Sequence, residues 1–358
     1  MRRVLSMILI AGILLSLSVS AFAENEGWTC SNGHVNDAQN LFCGLCGEKR
    51  VDPEATSWTC SNGHENPLEN NFCTVCGEKQ GAESKAEILN EWKEPFEEED
   101  YEAALPLIRA AAEAEDIEAV AALATCCIYG YGMEEDFEEG FQLAQKAAEA
   151  GNAQGMFLYG RCYNFGDGVE QDYKKAIKWY QKAADEGHIE ALVNLGMLYS
   201  NGEGTLQDYK KAMELFMQAA EAGNGLGMFH VGRLYDQGLG VDTDYITAFY
   251  WYTKAAEAGN IYAMNNLGYA YNTGHGVQKD YKKALEWYQR AADAGDEVAM
   301  YNVGIFYLQG YIVKQDNKKA LEWLGKAADK DYQDAKDVIK EMVQYHYITA
   351  EEAAQWLD

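Results

Sequence analysis

From Ile117 the apolar and polar positions recur in blocks that begin at 117, 153, 189, 225, 261 and 297, the last ending at 332. The third block reads IEALVNLGMLYSNGEGTLQDYKKAMELFMQAAEAGN and the fifth IYAMNNLGYAYNTGHGVQKDYKKALEWYQRAADAGD. Each block holds two helical stretches with a glycine-bearing loop between them. A fixed 36-residue period predicts a solenoid, because one helix pair buries its apolar face only against its neighbours.

Within the first helix of a block, glycine returns at Gly160, Gly196, Gly232, Gly268 and Gly304. Glycine inside a helix costs about 1 kcal/mol of propensity. Its recurrence therefore predicts a close approach of the facing helix. Three residues later an aromatic follows: Tyr163, Tyr199, Tyr235, Tyr271 and Tyr307. The loops GDGV, GEGT, GLGV and GHGV come next, and their glycines allow positive φ at the helix end. Asp172, Asp208, Asp244 and Asp280 precede the second helix, whose bulky face carries Trp179, Trp251, Trp287 and Trp323. An Ala-Ala pair closes it. The aromatic stripe reads as core.

The ends depart from this pattern. The first copy has Ala124 and Cys127 at the glycine and tyrosine places, and the sixth has GYIV in its loop. Residues 98–116 read as the second helix of a partial repeat. Residues 333–358 read as one more first helix and a cap, with Thr349 to Glu352 as a capping box. The stretch 81–97 reads as a linker with a capping helix from Ser84.

The pattern over 117–332 closely resembles the Sel1-like repeat, a relative of the tetratricopeptide repeat. The resemblance implies an all-α, right-handed superhelix of two-helix repeats that binds protein partners on a concave face lined by the first helices. The sixth, ninth and twelfth places of each copy are assigned to that face. The candidate partner-binding residues are Arg161, Asn194, His230, Arg233, Asn266, Tyr269 and Asn302. An Asn amide offers a donor and an acceptor together, which matches the backbone of an extended peptide. Arg161 and Arg233 would select carboxylates. The plainer reading is that the amides bond neighbouring helices and each arginine pairs with a nearby acid.

Cysteine-rich secreted members of that family staple each repeat with a disulfide. Here the array holds only Cys126, Cys127 and Cys162. Stacked helices lie about 8–10 Å apart, too far for easy bridging, so buried thiols are expected.

Before the array stand two short modules in tandem, WTCSNGHVNDAQNLFCGLCG from Trp28 and WTCSNGHENPLENNFCTVCG from Trp58. They occupy 24–50 and 51–80. Each offers Cys-x3-His, a gap of eight, then Cys-x2-Cys: Cys30, His34, Cys43 and Cys46, then Cys60, His64, Cys73 and Cys76. Tetrahedral zinc takes four such ligands. A core as small as Trp28 with Phe42, or Trp58 with Phe72, needs a cross-link. A disulfide module would strand one thiol of each three and leave the histidine without a task. Two structural zinc ions are the expectation, with no position left open for catalysis. The modules resemble tandem zinc ribbons, and the Ran-binding-protein-type zinc finger in W-x-C, Asn36 or Asn66, and C-x2-C. They depart from both in having His34 and His64.

Residues 1–23, MRRVLSMILIAGILLSLSVSAFA, read as an export signal cleaved near Ala23, or alternatively as an uncleaved anchor. Export would place the mature chain in the periplasm, on the cell surface or outside, with no further membrane attachment. The full chain carries 29 Lys and Arg against 57 Asp and Glu, a net charge of −28. Such a charge repels phosphate backbones, and nucleic acid is not an expected partner. No nucleophile, phosphate-loop or dinucleotide motif occurs, so an enzyme is not expected. The sequence thus points to an exported interaction scaffold. Alternatives are a hydrolase of cell-wall or β-lactam bonds, since some relatives are linked to β-lactams, and a chaperone-like adaptor for exported proteins.

Overall fold

The computed structural model describes residues 28–29, 35–36, 57–59, 65–67 and 91–357. The chain divides into two units, Met1–Ile88 and Leu89–Asp358. In the first unit, β1 (Trp28–Thr29) pairs antiparallel with β2 (Val35–Asn36), Trp28 opposite Asn36. In the same way β3 (Ser57–Thr59) pairs with β4 (Glu65–Pro67), Trp58 opposite Asn66. The zinc candidates Cys30, His34, Cys43, Cys46, Cys60, His64, Cys73 and Cys76 lie outside the described residues, as do the leader 1–23 and Ser84.

The described part of the second unit is all helix. A short α1 (Lys93–Glu97) and α2 (Tyr101–Glu113) come first. Six helix pairs succeed them. They are α3 (Ile117–Tyr129) with α4 (Phe137–Glu149), α5 (Ala153–Phe165) with α6 (Tyr173–Asp185), and α7 (Ile189–Asn201) with α8 (Tyr209–Glu221). Then come α9 (Gly225–Gln237) with α10 (Tyr245–Glu257), α11 (Ile261–Thr273) with α12 (Tyr281–Asp293), and α13 (Glu297–Gln309) with α14 (Asn317–Ala328). The chain ends with α15 (Gln333–Gln344) and a 3-10 turn at Ala354–Trp356. Each helix packs on its neighbours in sequence, which makes the unit a solenoid.

The helix boundaries arise from side-chain chemistry. Asp136, Asp172, Asp208, Asp244, Asp280 and Asp316 each accept a backbone N–H at the start of a second helix. Asn152, His188, Asn224, Asn260 and Asp296 do the same at the start of a first helix. Such caps satisfy donors that the helix itself leaves unpaired. First helices end at a left-handed glycine, as at Gly166, φ 84°. The backbone carbonyl of the repeat tyrosine ties the loop, since Tyr163 accepts from Asp172 N–H at 2.8 Å and Tyr271 from Asp280 N–H at 2.9 Å.

Inside the first helices the recurring glycine meets a large side chain, a ring for Gly160, Gly196, Gly232 and Gly268 and Leu324 for Gly304. A Cβ on Gly268 would stand 2.5 Å from Tyr288, and one on Gly232 would stand 2.8 Å from Tyr252. The first copy needs no such glycine, because Ala144 stands where the later copies have Tyr180, Phe216, Tyr252 and Tyr288. A second tie links successive repeats. The middle residue of the loop lies over the aromatic that opens the previous second helix. Tyr131 stacks on Tyr101 at 4.5 Å, His275 on Tyr245 at 4.3 Å, and Tyr311 on Tyr281 at 5.2 Å.

The C-terminal cap is built as its sequence suggests. Thr349 N–H and hydroxyl both donate to the Glu352 carboxylate, and Glu352 N–H donates to Thr349 Oγ1 at 3.2 Å. The capping box opens the short 3-10 turn rather than an α-helix. Trp356 of this turn covers Gly325 and donates from Nε1 to Asp329 at 2.7 Å. Cys126, Cys127 and Cys162 are buried thiols without a disulfide. Burial pushes them up to about 11, 12 and 12 respectively.

Candidate partner-binding site

A cavity of about 440 Å³ opens between α9, α10 and α11. Helix α9 contributes Phe229, Arg233, Asp236 and Gln237. Helix α10 contributes Tyr245, Ala248, Phe249 and Tyr252. Asn266, Tyr269 and Ala270 come from α11, and His275 from the loop behind it. The helical period explains the set: 229, 233 and 236 share one face of α9, as 245, 248, 249 and 252 share one face of α10. A cavity of this size suits a small ligand or a single side chain, and this one is lined by polar and apolar groups alike.

The polar groups in it are under-satisfied. Arg233 Nε and Tyr252 Oη are buried and have no hydrogen-bond partner of proper geometry among the described residues. Tyr252 Oη nonetheless lies close enough to Asp236 and Asn266 for both to influence its acidity. Burial raises the Tyr252 hydroxyl, and the nearby Asp236 charge raises it further. Burial also lifts the Asp236 carboxyl above its ordinary value, against the opposing pull of His275 and of the Tyr252 hydroxyl. Buried polar atoms usually have partners, so an orphaned set inside a cavity points to a ligand that completes it.

Three of the seven residues expected at a binding surface therefore come together here: Arg233, Asn266 and Tyr269. The other four lie apart from this cavity. Arg161 is closed off by its own chain, through an ion pair with Asp167 and by Tyr129 and Phe165, whose ring centroids lie 4.6 and 5.1 Å from the guanidinium. Asn194 sits beside the buried Tyr180 hydroxyl. Asn302 donates to Asn265 Oδ1 at 3.3 Å, an inter-repeat bond. His230 corrects the sequence expectation. It is 6 % exposed, stacked 4.6 Å from Phe216, and so belongs to the core rather than to an open face. Burial, with Arg233 adding repulsion, pushes its imidazole down to about 4.

Phe229, Tyr245, Phe249, Tyr252 and His275 were not singled out from the sequence as binding residues. Their periodic counterparts are ordinary packing residues. The available signal was His275 inside GHGV, where other loops have Asp, Glu, Leu or Tyr. Among the described residues no group of three or more His, Cys, Asp or Glu could hold a metal ion. Among them, too, no helix is long and apolar enough to cross a membrane.

Comparison with known proteins agrees with this architecture. The Sel1 repeat family matches residues 117–152, 153–188, 189–224, 225–260, 261–296 and 298–332. A protective antigen of uropathogenic Escherichia coli displaying an SLR fold is 31% identical, with a TM-score of 0.59, over 70% of this chain and 55% of its own. The chain thus spans about half the length of that antigen. A Sel1 repeat protein from Oxalobacter formigenes is also 31% identical, with a TM-score of 0.63, over 68% of this chain and 99% of its own. No curated protein matches the chain. Proteins of Sel1 repeats are generally non-enzymatic scaffolds that bind other proteins. With six matched repeats covering more than half of its length, the chain belongs to the Sel1 repeat family.

Proposed function

We propose that the protein is an exported interaction scaffold that holds an extended protein segment along its first helices, centred on the α9–α11 cavity. The observation that carries this reading is the cavity itself. It brings Arg233, Asn266 and Tyr269 together with orphaned polar atoms. Asn266 would bond the segment's backbone with its amide, and Tyr269, 48 % exposed, would cover a side chain. Solenoids use such extended surfaces for binding.

Two structural zinc ions belong to the same proposal. Cys30, His34, Cys43 and Cys46 would hold one, and Cys60, His64, Cys73 and Cys76 the other. The paired strands β1–β2 and β3–β4 support it, since in sequence they border Cys30 with His34 and Cys60 with His64. Zinc there would supply the cross-link that so small a unit lacks.

The test is capture by the full mature chain, quantified by mass spectrometry, in the variants Asn266→Ala and Tyr269→Ala and the control Lys211→Ala. Loss of the same captured protein in the first two, with retention in the control, is the expected result. Retention in both, with loss in the control, would put the site on the second-helix face.

A further inference from the structure

Arg161 and Arg233 hold the same place two repeats apart, but Arg161 has a counter-ion within its own chain, whereas Arg233 makes no ion pair even with Asp236 in the same cavity, whose carboxyl is drawn instead by His275 and Tyr252. Around Arg161 the chain provides Asp167 as counter-ion and Tyr129 and Phe165 as flanking rings. The residues in register around Arg233 are Leu239, Asn201 and Gln237. Leu239 packs against the apolar core of α8 and α9 and has no charge to offer. Among the described residues Arg233 makes no ion pair, and its Nε is buried without a partner. Arg233 as a whole is half-buried, and a guanidinium partly withdrawn from water without a counter-ion is disfavoured. At the upstream site the chain itself thus supplies the carboxylate that Arg233 lacks.

We infer that the Arg233 cavity receives the C-terminal carboxylate of the bound protein segment, in the role that Asp167 performs for Arg161. This rests on the scaffold reading above and adds the chemistry of the group that is held. The remaining lining fits a chain terminus. Guanidinium forks match carboxylates bidentately, and the Asn266 amide stands beside Arg233 as a second donor. A terminal residue also carries its own backbone N–H, which Asp236 can accept, and the raised Asp236 carboxyl limits the repulsion between the two acids. Its side chain meets Phe249 and Tyr269. The shape of the lining favours an end over a passing loop. Three helices form the walls and the His275 loop forms a fourth, so an internal residue would have to bring its chain both in and out.

The experiment uses the full mature chain and three acetylated tetrapeptides, with affinities measured by isothermal titration. The first is Gly-Ser-Gly-Phe with a free terminal carboxylate, and the second is the same peptide amidated. The third is Gly-Asp-Gly-Phe amide, which has an acid but no acidic terminus. The free acid is expected to bind roughly tenfold or more tighter than either amide, the ratio expected for one charge-assisted contact. Arg233→Gln should abolish that preference. Leu239→Asp should abolish it too, by supplying the carboxylate from within. Leu239→Asn, of the same size without the charge, should keep it, and circular dichroism checks that all variants fold. No binding of the free acid at millimolar concentration would overturn the proposal, as would equal binding of acid and amide. Equal binding of the internal-acid peptide would overturn the terminus. If these fail while protein capture still depends on Asn266, the scaffold reading stands without this one. If capture is also insensitive to Asn266→Ala, the scaffold reading itself has failed.

Discussion

Replacing Gly276 by alanine tests the inter-repeat tie directly. Gly276 is the second glycine of GHGV, at φ 69°. A Cβ there would stand 2.5 Å from the carbonyl carbon of Tyr245, the first residue of α10, and closer still to its oxygen. The loop would have to retreat by roughly 1.5 Å to regain ordinary contact with that oxygen. Gly259 provides the control. It is also left-handed, φ 86°, but a Cβ on it meets nothing within 4 Å. Both substitutions therefore carry the left-handed penalty of about 1–2 kcal/mol. Only Gly276→Ala adds overpacking, typically about 1–3 kcal/mol. Taking about 2 kcal/mol for the difference, the melting temperature of Gly276→Ala should fall about 4–8 °C below that of Gly259→Ala. Thermal unfolding followed by far-ultraviolet circular dichroism measures this. Because the strain sits between two repeats, the transition should also broaden as the array loses coupling. Equal losses in the two variants would refute the idea that this glycine is a packing requirement and leave only its backbone conformation to explain it.

Elemental analysis of the mature chain should find two zinc ions, and His34→Ala should remove one. A chelator should leave the helical signal almost unchanged, because the core of the array is apolar packing between repeats. Cys126, Cys127 and Cys162 should resist Ellman's reagent at pH 8 in the native state and react fully in guanidinium, since burial holds all three as thiols. His230 is neutral in the fold and titrates near 4, against about 6.5 when unfolded, so the unfolded chain binds more protons between those values. Stability should therefore fall as pH drops through that window, by at most about 3 kcal/mol, and His230→Phe should flatten the slope in urea titrations. No gel shift of DNA or RNA is expected at physiological salt, given a net charge of −28.

Periodicity made the helix pairs legible before any coordinates. Six returns of one glycine–tyrosine–loop–aspartate order left little room for another architecture, and Gly268 against Tyr288 is the close approach that its glycine predicts. The binding side chains were harder to read. Place in the repeat put His230 and Asn266 on equal terms. The structure separates them, because His230 has a ring large enough to fill the space over Phe216, whereas the Asn266 amide reaches the cavity. Nor could spacing alone distinguish Arg161 from Arg233, although the difference was written in the loops: GDGV carries the acid that satisfies the first, and GLGV does not. Reading it required knowing that this loop residue reaches back to the ninth place of the same copy.

The loop that rests on the preceding second helix also gives the array a direction. Each repeat lays its loop on a surface completed by the one before it, as roof tiles overlap from the eaves upward. Synthesis begins at the N-terminus, and domains generally fold in that order. A newly emerged loop such as 274–277 therefore finds Tyr245 already in place. The sixth copy ends the course. Its loop has Ile312 where the others have their second glycine, and stacking of Tyr311 on Tyr281 holds it in place. Only short-range contacts are required at each step, which favours fast folding for so long a chain.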